Sequence, residues 1–204
     1  MEKITIGINQ RIPVNIIELA LLSAFRGDAS AEYFKELAAT EYNGPNRIKK
    51  AVRIINRLTI KNSLYPFLCE HKEEVTMALK NKNDRPLLLT AIICAAYPFG
   101  YDTLVLLGKH FHVQEQVAST LIVQKMAEKY GSNRSLFNAL YCVLPMFIEA
   151  GIIARPVAGI YERTKAVKAS DFALQTYRKA FLLNNPLEQE DGDFERNPYF
   201  EFID

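Results

Sequence analysis

The chain has 204 residues, 49% hydrophobic and 24% charged, which excludes a disordered polymer and leaves enough apolar material for one large domain or two small ones. The formal net charge of +2 hides an asymmetry: residues 185–204 set Glu188, Glu190, Asp191, Asp193, Glu195, Glu201 and Asp204 against Arg196 alone. A tail of charge −6 thus masks a body of charge +8, and an anionic partner fits the body better than the total suggests.

Ile4, Ile6 and Ile8 alternate with other residues, a short strand signal, and lead to Pro13, which suits the first turn of a helix running to Arg26. Gly27-Asp28 ends that helix, and Ser30 caps a second, short one that closes near Tyr42. Asn43-Gly44 supplies a turn, and Pro45 opens a third helix through about Lys61. Short helix, glycine-containing turn and longer helix is the spacing of a helix-turn-helix. Beyond Tyr65-Pro66, a Lys- and Glu-rich, linker-like helical segment runs to Lys82, and Asp84-Arg85-Pro86 starts an apolar helix, LLLTAIICAAY, with no polar face. Further helices are predicted over residues 102–110 and 114–130, and after Gly131 another begins behind Ser132 or Ser135, with Pro145 expected to kink or break it. Gly151 reads as a helix end, followed by a hairpin of residues 152–154 and 160–163. Helix, "AGII" and a two-stranded ribbon is how winged-helix domains end. A last helix spans Ser170 or Asp171 to about Leu183, ahead of the acidic tail.

The third helix carries the most informative constellation. At 100° per residue, Arg47, Lys50, Arg53, Arg57 and Lys61 fall within about 120° of arc, facing away from Ile48, Ala51, Val52, Ile55 and Leu58. Cations on one face neutralise phosphates and release counterions, and arginine grips phosphate or guanine bidentately. A solvated amphipathic face is the competing reading, but such a face mixes signs, and residues 43–63 contain no Asp or Glu. Arg155, Arg163, Lys165 and Lys168 form a second basic group on the wing and its exit, where winged domains touch the DNA backbone or minor groove. Lys80, Lys82 and Arg85 read as a solvated loop. Phe194, Tyr199, Phe200 and Phe202 punctuate the acidic tail. They predict one of three fates: the tail folds back onto the body, with the basic face as one place to lie, docks on a partner protein, or packs as an ordinary C-terminus.

Enzyme classes lack their parts. There is no phosphate loop, dinucleotide fingerprint, zinc-protease helix or nucleophile elbow, so no catalytic residue and no cofactor is expected. His110 and His112 have no Cys or His partner at ligand spacing, so no metal is expected either. Cys69, Cys94 and Cys142 are widely separated among apolar neighbours, the pattern of free thiols in a reducing compartment. The N-terminus shows no secretion signal. The most apolar stretch, residues 87–107, is split by Pro98, Gly100 and Asp102 into pieces shorter than the ~20 residues a membrane span needs. A cytoplasmic protein without membrane contact is expected.

With these elements in place, the chain resembles the BrxA family of the bacteriophage-exclusion (BREX) phage-defence systems. The matching pieces are Ile17-Glu18, Arg53 with Asn56-Arg57-Leu58, residues 85–89 through Ala96-Tyr97-Pro98, and Leu144 through residues 149–152. The resemblance implies a small, mostly helical, non-enzymatic component that binds double-stranded DNA and is encoded beside a methyltransferase and ATPases acting on host and phage DNA. The combined expectation is a mainly α protein, a helical bundle with helix-turn-helix and winged-helix-like elements and a small β-hairpin wing. It divides into a helix-turn-helix-like domain (1–82), a helical domain with the wing (83–184) and the tail (185–204). Its partners would be duplex DNA, contacted mainly through phosphates with low sequence preference, and other defence proteins; a monomer is favoured. The alternative is a protein-interaction adaptor, docking through residues 97–107 and the tail, that does not touch DNA.

Overall fold

The computed structural model describes residues 6–132, 134–165, 168–188, 192 and 195–204. The chain is mainly helical with one small antiparallel sheet, and its buried side chains, from Ile8 to Phe202, form a single cluster.

Helix α1 (Val14–Arg26) begins after Pro13, and the Glu149 carboxylate accepts from the Val14 N–H at 3.0 Å, supplying the cap that proline cannot. Helix α2 (Ala31–Ala39) is capped by Ser30, whose hydroxyl accepts from the Tyr33 N–H at 3.0 Å. It ends three residues before Tyr42, which turns inward instead and donates its hydroxyl to the Arg11 carbonyl. Helix α3 (Pro45–Leu58) opens on its proline and stops short of Lys61, because Thr59 leaves helical geometry while its hydroxyl donates back to the Ile55 carbonyl at 2.8 Å. The segment after Tyr65 forms two short helices, α4 (Tyr65–Glu70) and α5 (Lys72–Lys80). Helix α6 (Arg85–Ala96) buries nine of its twelve residues, as a helix without a polar face must. Helices α3, α5, α7 (Pro98–Phe111), α9 (Arg134–Ala150) and α10 (Asp171–Asn184) all pack against it.

The expected strand around Ile6 and Ile8 is absent: residues 6–9 are irregular, and Ile4 lies outside the described residues. With no neighbouring strand to pair with, alternation alone does not make a ladder. The helix predicted from residue 102 starts at Pro98, which occupies its first turn. The one predicted over 114–130 gives way at its start to a strand, β1 (Gln116–Ala118), before α8 (Ser119–Tyr130). The hairpin of β2 (Ile153–Val157) and β3 (Ile160–Arg163) leaves an edge open, and β1 fills it antiparallel to β3 with Val117 facing Tyr161, giving the order β1-β3-β2. Pro145 does not break α9, which runs through it. The lost hydrogen bond and ring clash cost ~3 kcal/mol. Burial of Val143, Leu144, Met146 and Phe147 on both sides of the proline offsets that cost.

Arg85 is not a loop cation. Its Nε donates to Glu18 at 2.7 Å and its Nη1 to the Glu149 carbonyl at 3.2 Å, while Arg11 pairs with the Glu149 carboxylate. These four residues tie α1, α6 and α9 together.

The aromatic end packs as a structural element. A 3₁₀ turn (Pro198–Phe202) lies on α7 and α10 with Tyr199, Phe200 and Phe202 buried. Tyr199 stacks on Tyr177 with ring centroids 4.2 Å apart and accepts the Tyr177 hydroxyl at its carbonyl at 2.7 Å. Gly108 permits the approach: a Cβ there would sit 1.9 Å from the Pro198 carbonyl oxygen. Phe194 lies outside the described residues. Among the described residues, no helix is long and apolar enough to cross a membrane.

Candidate nucleic-acid interface

Helix α3 is amphipathic, but its core side is turned from the expected one: Ile54, which falls within the cationic arc, is buried. Ala51, Ile54, Ile55 and Leu58 enter the core, and Arg47, Lys49, Lys50, Arg53, Arg57 and Lys61 are all exposed. Ile48 and Val52, read as core, are only half-buried. With Ala39 and Pro45 they line a shallow apolar groove of about 610 Å³. The end of the helix is fixed by Asn62, a buried amide that donates to the carbonyls of Leu58 (3.2 Å) and Ile92 (2.9 Å) and accepts from the Leu64 N–H. This clamp onto α6 is not visible in the sequence, where Asn62 lies just past the expected end of the helix.

The structure distributes the predicted row between two grooves. Arg53, Arg57 and Lys61, joined by Lys49, line a groove of about 920 Å³ whose other walls are Gly7, residues 95–98, Leu183 and Asn184. Its lining holds four cations and no carboxylate. Arg47 and Lys50 face a second groove of about 540 Å³ with residues 9–11, Pro13, Glu41, Tyr42, Tyr141 and Cys142. Lys49 escaped the sequence reading because it falls outside the 120° arc; the concavity of the site brings it in. Among the described residues none of the six is in an ion pair, whereas Arg11, Arg26, Arg85 and Arg163 all are.

Arg57 is the most constrained of the set. Its Nε donates to the Ala96 carbonyl at 2.8 Å, and its guanidinium lies over the Tyr97 ring, 4.7 Å from the centroid. Burial pushes the Tyr97 phenol up to about 12, against the opposing pull of Arg57 and Arg53. At neutral pH the ring beneath Arg57 is therefore uncharged and leaves the cation's charge intact. Among the described residues neither Nη nitrogen has a hydrogen-bond partner, which leaves both for a ligand. Four neighbouring cations without a counter-charge among the described residues repel one another, and a polyanion relieves that repulsion.

The wing group is not brought together as one set. Arg155 is exposed beside the Tyr161 ring, and Lys165 and Lys168 are exposed. Arg163 instead binds the tail, donating to the Glu201 carboxylate at 2.9 Å and to its backbone carbonyl. His112 meets the same carboxylate at 3.1 Å. The tail thus neutralises one wing cation and leaves the α3 cations without an acidic partner among the described residues. His110 is half-buried, its basicity lowered by burial first and by Lys109 and Lys125 next. Among the described residues, no group of three potential metal ligands comes together.

No family model matches the chain, and neither a curated protein nor a solved structure matches it.

Proposed function

We propose that this chain is a non-enzymatic accessory component of a bacterial phage-defence system of the BREX type, binding double-stranded DNA mainly through phosphates with low sequence preference. The observation that carries the DNA reading is the groove beside α3: four cations, no carboxylate in its lining, and a preorganised arginine at its centre. Solvation alone gives no reason to pin Arg57 between a carbonyl and a ring. Phosphate gives one, because a held guanidinium loses less entropy on binding.

The C-terminal elements support a winged-helix reading. In chain order they are α7, β1, α8, α9 and the β2–β3 hairpin, with β1 closing the sheet against β3. Helix, strand, two helices and a ribbon whose second strand pairs with the first strand of the unit is the arrangement of a winged domain, with Arg155 on the ribbon. The place in phage defence rests on the resemblance of residues 85–89 and 149–152 and their companions to the BrxA family. Several of these, Glu18, Arg85 and Glu149, form the tie between α1, α6 and α9.

Burial of the apolar residues named for docking favours the DNA reading over the adaptor alternative. Tyr97, Phe99, Tyr101, Leu104 and Leu107 are buried, as are Tyr199, Phe200 and Phe202, so the elements meant to dock partners dock on one another.

Fluorescence anisotropy with unrelated duplexes tests the reading. Neutralising about four phosphates predicts a Kd that weakens by roughly two orders of magnitude between about 50 and about 200 mM salt. Duplexes of different base composition should differ little. Anisotropy that stays flat at low salt contradicts it.

A further inference from the structure

Helices α8 and α9 form a second helix-turn-helix candidate. Tyr130 ends one helix, Arg134 begins the next, and Gly131 at φ +77° takes the first position of the three-residue connection. Helix α9 buries Leu136, Ala139, Leu140 and Val143, so the opposite side of its first two turns faces outward. That side presents Arg134, Phe137, Asn138 and Tyr141, at the i, i+3, i+4, i+7 spacing of a single helical face. Tyr141 is 76% exposed and Phe137 39%, an unusual use of aromatics in a chain that buries most of its rings. No Asp or Glu occurs from residue 131 to 148.

This face adjoins the cations of α3. Tyr141 lines the same groove as Arg47 and Lys50, with Glu41 the single carboxylate among its walls. A phosphate strand held by Arg47 and Lys50 would thus have the α9 face next to it. The α9 face differs from α3 in kind: one cation, one amide and two rings in place of a cationic row. Phosphates call for charge, whereas base edges call for paired donors and acceptors and for apolar contact. Asn138 offers an amide matched to the N6 and N7 edge of adenine, Arg134 a fork matched to guanine, and the rings a surface for thymine methyl groups.

We infer that α9 is the base-contacting helix of this protein, inserting the Arg134, Asn138 and Tyr141 face into the major groove while the α3 cations hold the flanking phosphates. The inference rests on the DNA reading above and adds to it a short sequence preference, modest beside the phosphate contribution. Charge complementarity selects duplex DNA as the occupant, since the groove that α9 shares with α3 carries Arg47 and Lys50, which make no ion pair among the described residues.

The test uses the full chain and a pool of duplexes randomised over a short window, with the retained fraction sequenced. Wild type should enrich a motif of about three or four base pairs, with about tenfold discrimination at its strongest position. Asn138→Ala, an exposed change whose folding is verified by circular dichroism, should flatten that motif and leave the salt dependence of total binding unchanged. Tyr141→Ala should weaken the same motif through a different atom set. If wild type retains the pool in its input proportions, or Asn138→Ala enriches the wild-type motif undiminished, α9 does not read bases and its face serves another partner. If wild type retains no duplex at all, the α3 reading falls as well.

Discussion

Helices α3 and α9 each follow a shorter helix across a glycine-containing turn, and each leaves one face outside the core. Their outward faces are opposites. The α3 face is a set of cations without counter-charges among the described residues, and the α9 face is nearly neutral and aromatic. A third region, the wing and tail, shows what happens to a cation that is not kept free: Arg163 is bound by Glu201. Exposed charge in this molecule is therefore of two sorts, structural where a carboxylate has been placed against it and available where none has. Among the described residues, α3 and its neighbours hold several of the available sort in one concavity.

The largest expected effect comes from inverting that concavity. Arg53→Glu with Arg57→Glu should weaken duplex binding about 100-fold or more at low salt, since two attractions become repulsions. Arg57→Lys sharpens the comparison: charge is kept while the Ala96 bond and the planar stack on Tyr97 go, so affinity should fall only a few-fold in the same titration. The tail is broken separately by Gly108→Ala, which drives a methyl into the Pro198 carbonyl. It should cost about 2 kcal/mol in chemical denaturation while the folded protein binds DNA as before. Asn62→Ala leaves the buried carbonyls of Leu58 and Ile92 without their donor and should cost about 1–2 kcal/mol, moving the end of α3 and with it Lys61.

A smaller effect is expected from alkali. Burial holds the Tyr97 and Tyr101 phenols up to about 12 in the folded chain, against an ordinary value near 10. Their protonated forms favour the native state fully below about pH 10, and that contribution is lost as pH climbs from about 10 toward about 12, where only the unfolded chain ionises freely. Denaturation midpoints followed across that window should fall, and Tyr97→Phe should flatten the decline. A midpoint that stays level through the window in wild type contradicts the burial assigned to these rings.

Much of this molecule was legible in its sequence because local chemistry decides it. Pro13 and Pro45 at helix starts, Ser30 as a cap, Gly27 as a stop and the all-apolar α6 behave as their residue types dictate. The exposure of the α3 cations was legible for the same reason, since α3 has one strong periodicity, but their division between two grooves was not. What escaped depends on distant partners. Gln116–Ala118 becomes a strand only because β3, more than forty residues later, offers an edge, and Ile6 and Ile8 do not because none does. Arg85 read as solvated because Glu18 and Glu149 are far away in the chain. Lys49 joined the site and Arg163 left it for equally nonlocal reasons: the curve of a groove and the return of the tail.

The central claim is that unpaired cations on α3 meet a polyanion, and counting the ions released on binding tests it most directly. The logarithm of the duplex association constant, plotted against the logarithm of salt concentration, should be shallower by about 1.8 for the Lys49→Gln, Arg53→Gln double variant than for wild type, about 0.9 for each phosphate contact removed. Neither side chain makes an ion pair or hydrogen bond among the described residues, so the fold should be untouched. Parallel lines for the two proteins would contradict the account.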